Sequence, residues 1–374
     1  MKSVVIAGYK RSPFTFASKG DLAKVRPDQM AAEVVAALIK ESGVKPGDIE
    51  DVLVGCAFPE GEQGMNVARI ISFLAKVPLS AAGATVNRFC GSSMQAIHMA
   101  AGAIQMGAGD AFICAGVESM SRIPMGGFNF LPHPGLAKDY PEAFAAMGIT
   151  AENLARKYQI TRADQQELAV VSHERAAAAR SSGKLAGEIV AIEGVLEDGC
   201  IRPGTSQEKL SELKPAFMED GTVTAATSSP LTDGAAATLV TTEDYAKANG
   251  LSILARIKSI AVAGCAPEIM GIGPVPATQK ALARAGLMLK DIDIIELNEA
   301  FAAQSLAVVR ELGVDMAKMN IDGGAIALGQ PLGATGARIT GKAAALLKRE
   351  GKQFALATQC IGGGQGIATI LEAV

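Results

Sequence analysis

Two distant parts of the sequence resemble each other in the same order and at a nearly constant spacing. Three segments that begin at 48, 91 and 109 recur at 291, 333 and 351: DIEDV as DIDII, GSSMQAI as GATGARI, and GDAFICA as GKQFALA. Each match is weak alone, but three matches in one order and one register are hard to obtain by chance. The duplication predicts two similar α/β halves whose sheets are mostly parallel.

Packing of two such halves about a pseudo-twofold axis would bring equivalent turns together. The turn that carries Cys90 would then face the turn GQPLGATG at 329–336, and this junction is the expected place for an active site. Between the halves lies a segment of different composition, which begins MSRIPMGGFNFLPHPG. We predict three parts: residues 1–116, an inserted loop domain at 117–247 that binds a ligand, and residues 248–374.

The stretch TVNRFCGSSMQAIHMAAGAI places Cys90 between an apolar, β-branched run and apolar residues at helical spacing. This pattern predicts a strand, a tight turn and a helix, with the thiol at the helix N-terminus. Unpaired N–H groups and the helix dipole favour a thiolate there and supply donors for an oxyanion. A small buried core cysteine is the competing interpretation.

Composition narrows the class of protein. The chain has 374 residues, a net charge of −3 and a pI near 5.8, without a basic patch for nucleic acid. No apolar run is long enough to span a membrane, and the N-terminus resembles a first strand rather than a signal peptide. Six irregularly spaced cysteines and three histidines predict neither a disulfide framework nor a metal site. We therefore expect a cytoplasmic protein.

Three further motifs lie in the second half: NEAFAAQ from 298, GGAIALGQPLGATGAR at 323–338, and CIGGGQG from 360. Together with VNRFCGSSMQA, they resemble the thiolase family along essentially the whole chain, and most closely its degradative 3-ketoacyl-CoA branch of fatty-acid oxidation. The resemblance implies a layered αβαβα fold built from two duplicated halves with an inserted loop domain. It also implies thiolytic cleavage of a 3-ketoacyl-CoA to acetyl-CoA and a shortened acyl-CoA, or the reverse condensation.

The resemblance also implies roles for individual residues. Cys90 corresponds to the nucleophile that takes the acyl group, and Cys360 to the cysteine that exchanges protons with the α-carbon or CoA. The N–H groups of Cys90 and Gly362 correspond to one oxyanion hole, and Asn298 holds a water in the other. The implied CoA contacts are Arg202 near the nucleotide, Ser229 at the pantetheine, and Met147, Ala225 and Phe217 along the channel.

Gln330 departs from the family pattern. The family has histidine in GHPLG, where it deprotonates the nucleophile and lines an oxyanion hole, whereas this chain has GQPLG. A glutamine amide can donate a hydrogen bond but cannot accept the thiol proton. Loss of a general base lowers a rate by about 10²–10⁴, so we expect a slowed reaction. Asp322 is a milder departure, at a position where the family usually has asparagine.

Other functions remain as alternatives. An acetoacetyl-CoA thiolase, or a CoA-binding protein with little catalysis, would keep the same scaffold. A nicotinamide dehydrogenase is disfavoured because no acidic residue follows a GxGxxG motif suitably. A decarboxylating ketoacyl synthase is disfavoured because its histidines are missing.

The resemblance also sets expectations about ligands and partners. Acyl-CoA and CoA are expected as substrates, with no permanently bound cofactor. The expected assembly is a homodimer or homotetramer, with a hydratase/dehydrogenase subunit as a further candidate partner. Neither nucleic acid nor a membrane span is expected.

Overall fold

The computed structural model describes residues 2–374, and its strands follow one continuous order. That order is β4-β3-β5-β6-β1-β7-β10-β9-β8, with β2 paired to β6. The strands are β1 Val4–Arg11, β2 Thr15–Phe16, β3 Ile49–Gly55, β4 Ala82–Val86, β5 Ala111–Ser119, β6 Thr232–Thr242, β7 Ala255–Gly264, β8 Ile294–Leu297, β9 Phe354–Ile361 and β10 Gln365–Glu372.

Helices follow the strands in a pattern that repeats. The helices are α1 Pro27–Ser42, α2 Val67–Leu74, α3 Ser92–Gln105, α4 Pro134–Asp139, α5 Met147–Lys157, α6 Arg162–Ser181, α7 Gln207–Ser211, α8 Glu243–Ala248, α9 Pro274–Ala285, α10 Ala302–Leu312, α11 Ala325–Leu328 and α12 Thr335–Glu350. Both α1 and α9 start with a proline and stop at a left-handed glycine, Gly43 and Gly286. Proline fits the first helical turn and glycine accepts positive φ, so local chemistry sets the same ends in both halves.

The strand order confirms the duplication. The first half contributes β4-β3-β5-β6-β1, and the second contributes β7-β10-β9-β8 in the reversed order expected of a pseudo-twofold axis. A parallel bridge from Ile295 to Met319 extends the second half beyond β8, as β4 extends the first beyond β3. The two sheets meet at a short antiparallel pairing of β1 with β7, Val5 to Arg256 and Ile6 to Ala255.

The prediction of mostly parallel sheets is wrong. Strands β3, β4 and β5 are parallel, as are β8 and β9, but β6, β1, β7 and β10 all pair antiparallel with their neighbours. In the second half, only three residues, Gly362–Gly364, connect β9 to β10. A connection this short permits only an antiparallel hairpin.

The layered αβαβα arrangement is confirmed. Helices α3 and α12 pack against each other, and α12 contacts strands of both sheets. Helices α1 and α9 cover the outer faces of the first and second sheets. At Gly336 of α12, an added Cβ would lie 2.2 Å from the backbone nitrogen of Met94. Only glycine therefore allows the two central helices to approach this closely, which holds the two halves together at their junction.

The inserted segment is shorter than predicted. Strand β6 lies between β5 and β1 in the first sheet, although the sequence-based boundary placed it inside the insertion at 117–247. Only the tertiary pairing of β6 with β5 and β1 reveals it as a sheet strand. The segment outside the sheet is thus 120–231, and it includes α4–α7. No helix within residues 2–374 is long and apolar enough to cross a membrane.

Candidate active site

Cys90 lies in a strained turn between β4 and α3. The residue before it, Phe89, has a φ of 44°, a left-handed conformation that costs a bulky residue about 1–3 kcal/mol. The turn is held by local bonds: Arg88 N donates to Ser92 Oγ at 2.9 Å, and Gly91 N donates to Arg88 O at 2.9 Å. Cys90 is 7% exposed at the start of α3, as the sequence predicted.

The expected thiolate at Cys90 is not what the structure favours. Burial raises the pKa of the Cys90 thiol to about 11, although the N–H groups of Gly362 and of Cys90 itself oppose that rise. Glu118 raises it further. The prediction from the helix end was wrong because it counted local donors and omitted burial, which removes water from the charged form.

The three histidines form hydrogen bonds away from both cysteines. His98 Nε2 lies 2.8 Å from Thr369 Oγ1, and burial lowers its pKa to about 3. His173 Nδ1 accepts the N–H of Arg202, and burial lowers its pKa to about 4. His133 caps α4. These bonds leave the Cys90 thiol without an imidazole to take its proton.

Cys360 lies beside Cys90 at the end of β9. It is fully buried and packs in a small cluster with Met270, Ala300 and Met147. Burial raises the pKa of the Cys360 thiol well above its ordinary value, and Cys90 raises it further. The chain neighbours of the two cysteines also meet, since a Cβ on Gly91 would lie 2.6 Å from Ile361 Cδ1 and Gln359 Nε2 donates to Cys90 O. The structure thus brings the two predicted cysteines together.

The turn after Cys360 completes the other side of this pair. A Cβ built on Gly362 would lie 3.6 Å from the Phe89 ring and 3.7 Å from Met147 Sδ. Gly363 and Gly364 have φ of 77° and 80°, so glycine permits the tight hairpin that turns the Gly362 N–H toward Cys90.

Asn298 is a buried amide without partners. It follows β8, is fully buried, and its backbone N–H donates to Thr358 O at 3.0 Å. Its side-chain Oδ1 and Nδ2 make no hydrogen bond to any residue in 2–374. An unpaired buried amide destabilises a fold by about 1–3 kcal/mol. The unpaired amide of Asn298 therefore indicates a hydrogen-bond partner that is not part of the chain, either a water or a substrate oxygen.

Gln330 and Ser229 contact each other. Gln330 is 3% exposed, and its Oε1 accepts a hydrogen bond of 2.8 Å from Ser229 Oγ. The Gln330 backbone N–H donates to Thr232 Oγ1 at 3.0 Å. The Ser229 backbone N–H donates to Ala300 O at 2.9 Å, which links this contact to the Cys360 cluster.

The predicted CoA-side residues lie in different places. Met147 packs in the Cys360 cluster, and Phe217 lies against Gly148 with its ring 5.8 Å from Phe301. Ala225 is exposed on a short 3-10 helix. Arg202 is exposed, with its guanidinium 5.0 Å from the Phe16 ring centre. No hydrogen bond or ion pair within 2–374 joins Arg202 to either cysteine.

Three residues of this region were not found from the sequence. Gln359 Nε2 donates to the carbonyl of Cys90 and so ties the two cysteine segments together. Thr232 holds the backbone of Gln330. Glu118 accepts from Gly333 N at 2.9 Å in the loop that follows Gln330. A polar side chain inside a buried strand is a detectable signal, and Gln359 and Glu118 both carried it.

The arrangement suits acyl transfer between thiols. It combines a thiol in a strained turn, N–H groups directed at that thiol, a second thiol beside it, and an unpaired buried amide. Such groups can form a thioester, stabilise an oxyanion and move a proton. The duplicated α/β fold and the paired thiols define a class of thiol-dependent acyl-transfer proteins.

Family comparisons agree with this class. Residues 4–244 match the thiolase N-terminal domain, and residues 251–373 match the thiolase C-terminal domain. The chain therefore belongs to the thiolase family.

Individual relatives match over the full length. The chain is 52% identical over 387 residues to a 3-ketoacyl-CoA thiolase of Shewanella loihica, and 46% identical over 389 residues to one of Bacillus subtilis. Each alignment covers 100% of both chains.

Solved structures agree with the sequence relatives. Human mitochondrial 3-ketoacyl-CoA thiolase in complex with CoA superposes with a TM-score of 0.93 at 37% identity, and covers 100% of this chain and 98% of that one. An acetyl-CoA acetyltransferase of Bacillus anthracis gives 0.91 at 40% identity, with 100% and 99% covered.

Proposed function

We propose that the chain is a CoA-dependent acyltransferase that cleaves a 3-ketoacyl-CoA with CoA into acetyl-CoA and a shortened acyl-CoA, or runs the reverse condensation. The juxtaposition of two buried thiols, with the N–H of Gly362 acting on the first, is the observation that carries the proposal. Full-length similarity to 3-ketoacyl-CoA thiolases supports it.

In the first step, Cys90 reacts from its small ionised fraction, whose proton has passed to water because Gln330 cannot accept it. The thiolate attacks the 3-keto carbon and forms a carbon–sulfur bond. The bond between C2 and C3 breaks, and its electron pair becomes the enolate of acetyl-CoA, which takes a proton from the Cys360 thiol. The N–H groups of Cys90 and Gly362 stabilise the oxyanion formed at C3. Asn298, with both amide atoms unpaired, holds a water at the enolate oxygen.

In the second step, CoA releases the product. The CoA thiol gives its proton to the Cys360 thiolate, and its sulfur displaces the acyl group from Cys90, which leaves as a thiolate. Each cysteine thereby returns to the state in which it received the substrate, as a ping-pong reaction requires.

Acylation of Cys90 tests the function. Incubation with 3-ketohexanoyl-CoA should place a butyryl group on the peptide that contains Cys90, detected by mass spectrometry. Cys90→Ala should abolish the modification. Cys265→Ala is the matched control, because Cys265 is a more exposed thiol of the same region. This variant should leave the acylation of Cys90 unchanged. A butyryl group on Cys265 would contradict the assignment.

A binding protein with little catalysis is the second candidate. Two observations support it. Gln330 cannot accept a proton, and burial raises the pKa of the Cys90 thiol to about 11. CoA binding without any butyryl group on Cys90 would favour this candidate.

An acetoacetyl-CoA thiolase is the third candidate function, supported by similarity to the Bacillus anthracis acetyltransferase. Comparison of acetoacetyl-CoA with longer 3-ketoacyl substrates separates it from the first.

The insertion and the channel belong to the same proposal. Residues 120–231 carry the ligand contacts, in which Met147, Phe217 and Ala225 line a channel and Ser229 meets the pantetheine. Arg202 lies toward the nucleotide, where its exposed guanidinium can reach a phosphate. CoA acts as a substrate, and the enzyme holds no permanent cofactor.

The assembly is proposed as a homodimer or homotetramer. Strand β4 is a sheet edge whose residues are exposed or half-buried, and Leu79, 78% exposed, lies just before it. An unpaired edge with apolar neighbours is a surface that a second copy can cover. Light scattering at micromolar concentration checks this, and a monomer would contradict it.

Cellular placement follows from the proposed reaction. Six free cysteines fit a reducing compartment, so we place the enzyme in the cytoplasm, in fatty-acid β-oxidation. A hydratase/dehydrogenase subunit is the candidate partner, because it would supply the 3-ketoacyl-CoA.

A further inference from the structure

The side chain of Gln330 is held at one end only. Its Oε1 accepts the hydroxyl of Ser229 at 2.8 Å, and its backbone N–H is fixed on Thr232 Oγ1. Its Nε2 makes no hydrogen bond to any acceptor in residues 2–374, and this nitrogen is not sealed from solvent. The amide oxygen of Gln330 is therefore hydrogen-bonded, and its amide nitrogen is a donor without a partner.

The orientation of this amide decides what it can do. The last torsion of a glutamine side chain is broad and nearly two-fold, so the amide can present either oxygen or nitrogen to a given point. Nitrogen stabilises an oxyanion, whereas oxygen repels it. A preorganised donor is worth about 10²–10³ in rate, and an amide that rotates freely loses part of this.

The serine that holds the amide is itself fixed beside the second cysteine. Its backbone N–H donates to Ala300 O at 2.9 Å, and Ala300 packs against Cys360. The neighbouring Ser228 forms a backbone bridge with Phe301, which anchors the same short stretch. The hydroxyl that meets Gln330 is thus attached to a rigid part of the site.

We propose that Ser229 is a positioning residue, whose hydroxyl donates to Gln330 Oε1 and thereby holds Nε2 toward the oxyanion of the reacting thioester. This inference rests on the function proposed above. It gives Ser229 a role in addition to its proposed contact with pantetheine.

A double-mutant cycle separates the two roles. The four proteins are the unmodified chain, Ser229→Ala, Gln330→Met and the combined variant, assayed for kcat and KM in thiolysis of 3-ketohexanoyl-CoA. Methionine keeps the length of glutamine but has no amide to orient. We expect Gln330→Met to lower kcat about 100-fold and Ser229→Ala about 10-fold. The combined variant should match Gln330→Met within about two-fold, because no orientation remains to be lost.

Two further variants control for folding. Ser228→Ala removes the neighbouring hydroxyl, which bonds to Thr224 O at 2.8 Å, and should leave kcat unchanged. Ser229→Thr keeps a hydroxyl and should retain kcat within about three-fold.

The outcomes that overturn the proposal are distinct. A further 10-fold loss from Ser229→Ala in the Gln330→Met background, or a change in KM alone, would overturn the positioning role. No Cys90 acylation in the unmodified chain would instead contradict the proposed function, and this inference with it.

Discussion

The carboxyl ends of β5 and β9 occupy equivalent places in the two halves but differ in chemistry. The repeat that aligns GDAFICA at 109 with GKQFALA at 351 also aligns Glu118 with Cys360, since both pairs differ by 242 positions. Both side chains are buried. The Glu118 carboxylate accepts from the N–H groups of Ala57 and Phe58, from Gln63 Nε2 and from Gly333 N. Cys360 is fully buried among apolar residues that include Met270 and Ala300.

The difference shows that equivalent positions of a duplicated fold can serve different purposes in the two halves. Glu118 joins loops of both halves and fixes the segment that follows Gln330, whereas Cys360 is the proposed proton carrier of the reaction. A similar contrast separates Gly55 from Asn298, which are 243 positions apart. A Cβ on Gly55 would lie 2.3 Å from Ser93 N, while Asn298 brings an unpaired amide to the site. At each of these two pairs, the residue of the first half builds the junction, and the residue of the second half has a proposed catalytic role.

Removal of the Cys360 thiol should have the largest effect on activity. Cys360→Ala should lower kcat by about 10²–10⁴, the range for loss of a general acid or base. The free energy of unfolding should change by about 1 kcal/mol, since roughly one methylene-sized group is lost. Steady-state thiolysis and urea denaturation measure the two effects. Cys114→Ala, a buried cysteine on β5, is the control and should keep kcat. Equal kcat in both variants would break the comparison.

Removal of Glu118 should act mainly on stability. Glu118→Ala would leave four donors without their acceptor, three of them in buried hydrogen bonds. Each buried donor left unpaired costs about 1–3 kcal/mol. We expect the free energy of unfolding to fall by about 3 kcal/mol or more in urea denaturation. Glu50→Ala, at an exposed glutamate, should change it by no more than about 0.5 kcal/mol. A Glu118→Ala variant as stable as the unmodified chain would remove the structural half of the comparison.

Asn298 should show the opposite balance to Glu118. Asn298→Leu removes two unpaired buried atoms, so the free energy of unfolding should stay the same or rise. Turnover should fall about 100-fold, because the water at the enolate loses its partner. Asn320→Leu is the control, since Asn320 bonds to Leu297 and Glu299 and its loss should destabilise the protein. A clear loss of stability in Asn298→Leu would contradict this assignment.

Local sequence patterns predicted more of the fold than of the electrostatics. The repeat predicted two halves, and the turn residues around Cys90 predicted its strand, turn and helix, because these depend on neighbours in the chain. The antiparallel place of β6 was not predictable, since it is set by pairing with strands more than 100 residues away.

The candidate site shows the same limit. The motifs located both cysteines, Gly362, Asn298 and Ser229. In the structure the Gly362 N–H acts on Cys90, and Ser229 is bonded to Ala300, which packs against Cys360. The pKa of Cys90 was predicted in the wrong direction, because burial is a property of the assembled fold. The role of Glu118 was missed because its four donors come from three separate segments.

The central claim is that the first half keeps a competent nucleophile while residue 330 of the second half cannot take its proton. With a pKa near 11, only about one thiol in a thousand is ionised at pH 8, and this fraction rises about tenfold per pH unit. Acylation of Cys90 should therefore accelerate with pH in the unmodified chain. Histidine at 330 would accept the proton and stabilise the thiolate as a nearby cation, which moves the reaction to lower pH.

The direct test is the single-turnover rate of Cys90 acylation by 3-ketohexanoyl-CoA between pH 7 and 10, in the unmodified chain and in Gln330→His. We expect Gln330→His to raise the rate at pH 7.5 by about 100-fold or more, with a weaker dependence on pH and little change in CoA affinity. Equal rates and parallel pH profiles in the two proteins would contradict the claim, because another group would then be taking the Cys90 proton.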